Sequence, residues 1–307
     1  MPTMPLSLTV IILTFDEELH LERCLASIAP LGARVVVVDS GSHDRTQEIA
    51  RAAGAEVFEH PFLNQAAQFN WALENTDTRS DWIMRLDADE VLEPELVDEI
   101  LSKLPRMPAD VAGINLKRRH VFLGRWIRHG GRYPVTLLRI WRRGQGRVED
   151  RWMDEHVIVQ GGRTETFDKD FSDWNLKDLT FFIDKHNKYA TREAVEIINQ
   201  RHGLFARDTG MSAESASRQA AFKRWAKESV YNRLPFWLGP FGYFMMRMSV
   251  QGGFLDGREG LIYHFLQGFW YRFLVGAKVL EFERELVGAD GPAAKRAMLR
   301  DLTGLKI

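Results

Sequence analysis

Apolar positions in the first hundred residues fall in short runs, each closed by an acidic or small polar turn. Leu8 to Leu13 (LTVIIL) is unbroken and rich in β-branched residues. Such a run, bounded by Pro5 and by Thr14-Phe15-Asp16-Glu17-Glu18, predicts a strand buried on both faces. A helix is expected over about 17–29, with acids in its first turn and Pro30 as its stop. Val35 to Val38 predicts a second strand, ending in Asp39 and a Ser40-Gly41-Ser42 turn, followed by Asp44 and a helix through Ala53. Val57 and Phe58 mark a short third strand. Ile83, Met84 and Leu86 mark a fourth, which runs into Asp87-Ala88-Asp89 ahead of a helix from Pro94 to Leu104. Strand, acidic turn and helix in repetition is the order of a doubly wound α/β sheet.

Further along, the pattern loosens. Residues 117–159 read as a loop, a strand from Val135 to Trp141, a turn at Gly144-Gln145-Gly146 and a strand near Val157. Residues 163–230 are mixed and charged and read as helical, with the apolar spacing Leu179, Phe182, Ile183, Tyr189 and a break at Gly203. PFWLGPFGYFMMRMSV has one charge, Arg247, and is too short to span a bilayer, which takes ~20 apolar residues. Leu261 to Leu280 sorts into a polar side (His264, Gln267, Arg272, Lys278) and an apolar side (Ile262, Phe265, Phe269, Phe273, Leu280). With Trp237, Tyr243, Trp270 and Tyr271 alongside, this predicts an interfacial helix or a core-facing one, not a spanning one.

Composition narrows the class. A chain of 307 residues with 45% hydrophobic content can bury a full core and carry an appendage or second domain. The 41 basic and 42 acidic residues leave a net charge of -1, so no nucleic-acid partner is expected, although Lys and Arg cluster between 117 and 151. The lone cysteine, Cys24, shares a helical face with Leu21, Leu25 and Ile28 and reads as a core thiol. No disulfide framework is possible, which fits a reducing compartment. The first apolar run is too short, and lacks the basic flank, for a signal peptide.

The chemistry concentrates at strand ends. Asp87 and Asp89 would leave the fourth strand together, where open α/β sheets place ligands, and carboxylate oxygens on a short turn suit Mg²⁺ or Mn²⁺ bridging to a diphosphate. The plainer reading is a capped turn; Asp168-Lys169-Asp170 repeats the spacing without a strand before it. Asp39 is placed to accept from a base or ribose, with helix capping as the alternative for Asp39 and Asp44. No G-x-G-x-x-G follows the first strand, which argues against a dinucleotide held by a glycine turn. Gln65, Gln68 and Asn70 read either as an amide-rich loop facing a nucleotide or sugar, or as a polar helix start over a buried Trp71. Arg125, Arg128, Arg132 and Arg139 offer forked donors to the phosphates of a leaving diphosphate or of a phosphorylated acceptor, or are solvated surface charges. Among Glu149, Asp150, Asp154, Glu155 and His156, a carboxylate is available as a general base, a role worth roughly 10² to 10⁴ in rate.

VIILTFDEE, VVVVDSGSHD, QAAQFNWALENT and DWIMRLDADE, in this order over the first 92 residues, resemble the nucleotide-sugar-binding half of glycosyltransferase family 2. FLGRWIRHGGRYP, LLRIWRRGQGRVEDRWMDEHVIV and GFLDGREGLI extend the resemblance to the branch that includes the lipopolysaccharide core β-1,4-glucosyltransferases. The resemblance implies an α/β fold: a GT-A-type nucleotide-sugar-binding domain with a mostly parallel central sheet over 1–230, its donor half about 1–110 and its acceptor half about 111–230. A helical, membrane-docking region over 231–307 would follow. It implies donor contacts from Thr14, Glu17 and Asp39, with Asp87 near the ribose and diphosphate, metal binding by Asp89, and Asp154 or Glu155 as the base. Gln68 and Arg139 complete the donor-binding candidates. Asp16 departs from the family's usual Asn.

The implied activity is inverting, metal-dependent transfer of a hexose such as glucose from a UDP-sugar to a lipid-linked saccharide or a lipopolysaccharide core or exopolysaccharide acceptor, at the inner face of the cytoplasmic membrane. Two alternatives stand beside it. Asp87 to Leu92 also fits the D-x-D-x-[TV]-[LV] signature of haloacid-dehalogenase-type phosphatases, and a noncatalytic sugar-nucleotide-binding subunit of a polysaccharide assembly complex would need the same donor half.

Overall fold

The computed structural model describes residues 6–77, 79–149, 157–205, 236–305 and 307. The chain divides into two compact units, residues 1–128 with 132–176, and residues 129–131 with 177–307.

The first unit is built on β1 (Leu8–Thr14), β2 (Arg34–Asp39), β3 (Glu56–Glu59), β4 (Trp82–Asp87), β5 (Glu90–Leu92), β6 (Val111–Phe122), β7 (Arg125–Trp126), β8 (Val135–Arg142) and β11 (Arg163–Trp174). They form one sheet of order β3-β2-β1-β4-β8-β6-β11-β5, with β7 paired to β6. The β3-β2-β1-β4 half is parallel throughout, whereas β8 runs antiparallel to both its neighbours. Alternate residues of the apolar runs feed two cores. Val10, Ile12, Val37, Met84 and Leu86 pack with residues of α1 (Leu21–Ile28), α2 (Thr46–Ala52) and α4 (Pro94–Lys103). Ile11, Val36, Val38 and Ile83 pack with Ala66, Phe69 and Ala72 of α3 (Gln65–Asn75) and with Trp141. A strand covered on both faces has no solvated side, which is why these runs are unbroken. A separate two-stranded ribbon joins β9 (Gly146–Val148) to β10 (Val157–Val159).

Three sequence expectations are corrected. The first helix begins at Leu21, not 17, because Asp16 adopts φ 51° and the chain turns through a His20 N–H to Glu17 carbonyl bond. The region from Lys117 is not a loop, and residues 163–174 are not helical: β6 and β11 are twelve-residue strands paired in parallel. Charge had hidden them. Across the pair, Lys117 lies 3.8 Å from Asp168, Arg119 Nε donates to Asp170 at 2.8 Å, and Arg118 and His120 meet Asp173 at 3.4 and 3.2 Å. Opposite charges on neighbouring strands favour this register where like charges would oppose it. The second Asp-x-Asp therefore sits within a strand, with Asp168 and Asp170 facing cations.

In the second unit, α5 (Leu179–His202) is capped by the Asp178 side chain and ends at Gly203 with φ 63°. It packs through Val195 and Ile198 on Val279, Phe282 and Leu286 of the α8 region (α8, Tyr271–Glu285) and on Leu299 of α9 (Gly291–Thr303). Two shorter helices, α6 (Leu238–Met245) and α7 (Gly257–Tyr263), lead into π-helical stretches at Met246–Val250 and His264–Trp270. No helix of the described residues is long and apolar enough to cross a membrane.

The amphipathic stretch at 261–280 is arranged inside out in its first half. Its polar residue His264 is fully buried, Gln267 accepts from Arg247 at 3.0 Å, and the buried Asp256 takes both the backbone N–H and Nδ1 of His129, at 2.9 and 2.7 Å. Arg247 Nε donates to the Gly130 carbonyl at 3.0 Å. Gly130, at φ 64°, is required there: a Cβ would lie 2.2 Å from the His264 ring. With the polar residues engaged inside, Ile262 and Phe265 face outward, as do Phe236, Trp237, Phe241, Met245, Phe254 and Leu255.

Candidate active site

The C-terminal ends of β1 and β2 are joined by a hydrogen-bonded turn centred on Asp39. Its Oδ1 accepts from Thr14 Oγ1 (2.8 Å) and Ser42 Oγ (2.5 Å), and its Oδ2 from the N–H groups of Gly41 (3.0 Å) and Ser42 (2.8 Å) and from Gln47 Nε2 (2.9 Å). Asp39 is fully buried. Gln68 lies beneath the same turn, also fully buried, donating to Ser40 Oγ and the His60 carbonyl. Both residues thus build the rim rather than present free polar atoms on it. Asp16 ties in from the first strand: its N–H donates to Ser42 Oγ and its Oδ1 accepts from His43 N–H. Asp, like Asn, tolerates the positive φ this needs. Glu17 donates its N–H to Thr46 and contacts His20 Nδ1 at 2.6 Å, so it too braces the turn.

Burial works to raise the Asp39 carboxyl, but hydrogen bonds from Ser42, Gln47 and Thr14 prevail and hold it below its ordinary 3.8. A depressed folded value contributes stability that is present above the unfolded pKa and lost as pH falls beneath it. The destabilisation by Asp39→Asn, read from urea midpoints, should therefore shrink as pH drops from 5 to below 4, roughly the unfolded Asp range. A penalty that holds constant through that window would contradict the bonding described.

On β4, Arg85 is a charge within an otherwise apolar buried strand, WIMRLD. Its Nε lies 3.4 Å from Asp87 Oδ1, and the guanidinium sits over Phe69. The other Asp87 oxygen is 3.2 Å from Arg139, which also bonds the buried Glu90. A β-bulge delivers Arg139 there. Ile114 and Asn115 are consecutive on β6 but face Ile140 and Leu138 on β8, so Arg139 is the extra, unpaired residue. Bulges re-aim side chains in this way beside functional sites. Arg139, expected to offer its fork to a phosphate, is 5% exposed and binds two carboxylates of this chain. Burial would raise the Asp87 carboxyl, but the Arg85 and Arg139 charges hold it down to about 2. Burial, with the nearby Asp87 charge adding and Arg139 opposing, pushes the Glu90 carboxyl up from its ordinary value.

Asp89 is partly exposed, one residue beyond the clamped Asp87. Its backbone carbonyl accepts from Trp174 N–H and its Oδ2 from Asn175 Nδ2, both at 3.0 Å, so the end of β11 fixes its direction. Among the described residues no three His, Cys, Asp or Glu side chains group to hold a metal ion. The fit to Mg²⁺ or Mn²⁺ is that of a site where one partly exposed carboxylate serves and substrate phosphates and water supply the other oxygens. Behind the turn, burial pushes the Cys24 thiol well up, with the charges of Glu90, Asp89 and Asp87 adding to it, which fits a core thiol.

Asp154 and Glu155 lie outside the described residues. The approach to them is fixed: Asn70 of α3 donates to the Val148 carbonyl at 2.8 Å and accepts from its N–H at 3.0 Å. Residues 65–75 form a helix rather than a loop, with Asn64 capping Ala67 N–H and Trp71 half-buried. Arg85, Glu90 and Asn175 escaped the sequence reading. Only Arg85 left a signal, as the single charge inside the fourth apolar run.

A family model described as glycosyl transferase family 2 matches residues 9–212. An uncharacterized glycosyltransferase of Rickettsia bellii (strain RML369-C) is 40% identical over 93 residues, 30% of this chain and 31% of that protein. The succinoglycan biosynthesis protein ExoA of Rhizobium meliloti (strain 1021) is 35% identical over 88 residues, 26% of this chain and 27% of that one. The match thus spans under a third of either relative's length. Among solved structures, the mannosyltransferase PcManGT of Pyrobaculum calidifontis, in complex with GDP-Man and Mn²⁺, aligns over 91% of this chain and 88% of its own, with TM-score 0.51 and 14% identity. That likeness is one of fold: a GT-A-like α/β architecture.

Proposed function

The chain belongs to glycosyl transferase family 2, and from that membership we propose that it is an inverting glycosyltransferase that moves a hexose, such as glucose, from a UDP-sugar to a lipid-linked saccharide or a lipopolysaccharide core or exopolysaccharide acceptor. The observation that carries this reading is the pair at the end of β4: an Asp87 locked by two guanidiniums beside a partly exposed Asp89 steered by Asn175. The same lock counts against the phosphatase alternative, whose nucleophile would be Asp87. A carboxylate gripped by Arg85 and Arg139 is a poor attacking group.

In the proposed reaction the rim built on Thr14, Glu17, Asp39 and Gln68 shapes the nucleoside end of the donor, and Asp87 with Arg139 fixes the turn that presents Asp89. Asp89 would hold Mg²⁺ or Mn²⁺. When bound, such an ion offsets the negative charge that grows on the departing diphosphate. Asp154 or Glu155 takes the proton of the acceptor hydroxyl as it attacks the anomeric carbon, which inverts the configuration there. A screen of UDP- and GDP-sugars for nucleoside diphosphate release, with Mg²⁺ or Mn²⁺ and a membrane extract as acceptor source, tests the reading. Tight UDP binding with no turnover under any of these conditions would favour the noncatalytic subunit instead.

Docking on the inner face of the cytoplasmic membrane is part of the proposal. Between Phe236 and Phe265 the charged residues are Arg247 and Asp256, both buried, and Arg258 and Glu259. Phe254 is 60% and Leu255 54% exposed, with Trp237 and Phe241 also outward. An outward face this apolar, carrying tryptophan, suits the headgroup and upper acyl region of a bilayer. Burying one such side chain is worth roughly 1.5–3 kcal/mol. Phe254→Ser with Leu255→Ser should therefore cut co-sedimentation with phospholipid vesicles at least tenfold while leaving donor hydrolysis intact; equal vesicle binding by the variant would remove the docking claim.

A further inference from the structure

Past the end of its pairing with β8, β6 folds back through β7. Val121 pairs with Trp126 and Phe122 with Arg125, and Ile127 N–H donates to the His120 carbonyl at 2.8 Å. Continued by one residue, this register sets Arg128 opposite Arg119. Both guanidiniums lie against one indole: Arg119 Cζ is 4.7 Å and Arg128 Cζ 5.1 Å from the Trp126 ring centroid. Tyr133 meets the same ring edge-on at 5.0 Å.

Two like charges at facing positions of a hairpin repel, so their placement requires compensation. Arg119 has it. Its Nε donates to Asp170 Oδ2 at 2.8 Å, its Nη1 is 3.7 Å from Glu93, and the Tyr133 hydroxyl donates to the other Asp170 oxygen at 3.0 Å. Arg128 is exposed, and among the described residues no carboxylate pairs with it. One cation is thus neutralised and anchors the indole, and the second is held on that indole with its fork of donors turned to solvent. Cation–π contact stiffens the side chain without neutralising it. A planar, preorganised guanidinium of this kind matches the oxygens of a phosphate group.

The location fits the proposed reaction. In the sheet, Trp126 is registered on Val121 and Val121 on Trp174, whose N–H holds the Asp89 carbonyl. Two strand spacings put the Trp126 backbone roughly 10 Å from that of Trp174, with the Asp89 carbonyl one hydrogen bond farther on. This leaves room for a sugar unit between a donor at Asp89 and a group on Arg128.

We propose that Arg128, braced on Trp126 beside Arg119, is an anion subsite that takes a phosphate group carried by the acceptor. The word acceptor rests on the transferase reading; the phosphate site itself does not. The phosphate is either that of a saccharide or that of a lipid. The test titrates the full chain with inorganic phosphate, with glucose 6-phosphate and with vesicles containing phosphatidic acid, each with and without saturating UDP and Mg²⁺. Arg128→Gln, at an exposed position, should weaken phosphate binding roughly tenfold and leave UDP binding unchanged, and Arg128→Lys should fall between. A loss confined to glucose 6-phosphate and inorganic phosphate assigns the group to a saccharide; a loss confined to vesicles and inorganic phosphate assigns it to a lipid. All three probes binding Arg128→Gln as they bind the parent chain would overturn the proposal. Absence of UDP binding in the parent would count against the donor reading alone, because the titrations without UDP still report on Arg128.

Discussion

Asp89→Ala is expected to lower sugar transfer by on the order of 10³-fold or more, while the fold persists. The size follows from the role proposed: charge stabilisation by a bound cation at the leaving group is worth several kcal/mol, and each 1.36 kcal/mol is about tenfold in rate. The structural loss is small by comparison. Asp89 is partly exposed and its side chain accepts from Asn175, a bond worth about 1 kcal/mol net. Thermal unfolding should therefore move by only a few degrees. UDP should bind the variant less tightly than the parent when Mg²⁺ or Mn²⁺ is present and about equally when it is absent. Parent-like turnover in the variant would withdraw the metal from Asp89.

The second large effect is on stability. Arg139, itself buried, is the shared partner of the buried Glu90 and the half-buried Asp87. Removing one member of a buried ion cluster costs roughly 3–5 kcal/mol, because the remaining charges lose compensation in a poorly solvated place. Arg139→Ala should reduce unfolding free energy by about that amount at pH 7, and Arg139→Lys should recover only part of it, since one ammonium cannot reproduce the fork's reach to two carboxylates. Adding Glu90→Gln to Arg139→Ala should restore some stability, a non-additivity expected of residues in one network. If urea unfolding shows a loss below 1 kcal/mol, Arg139 is not the clamp the geometry makes it.

Much of the donor-side fold was legible. The runs at 8–13, 35–38 and 83–86 became β1, β2 and β4, and their closing acids became the rim, because a strand buried on both faces needs an unbroken apolar run whatever surrounds it. Helix α5 and its end at Gly203 were legible for an equally local reason: apolar spacing followed by a residue free to take φ 63°. The strands β6 and β11 were not, since KRRH and RTETFDKDFSDW show little apolar alternation and their charges find opposite partners only across the pair. Site residues divided the same way. Asp87 and Asp89 stood out by type and spacing; Glu90 and Asn175 became visible only through what they touch.

The sequence by itself determined the order of strands, turns and helices in the donor half, the positions of the acidic strand ends, and the family these motifs announce, because each depends on neighbours a few residues away. Only the tertiary structure decided which charges are engaged within the chain and which face outward. Arg139 was drawn into a bulge toward partners 49 and 52 residues distant, while Arg128 was left exposed on an indole. The stretch at 261–280 turned its first polar residues inward, toward Asp256 and Arg247, and left Leu261, Ile262 and Phe265 outside. The physical reason is common to all three: the free energy of a charged or amphipathic side chain is set by the groups that meet it in space, and those come from elsewhere in the chain.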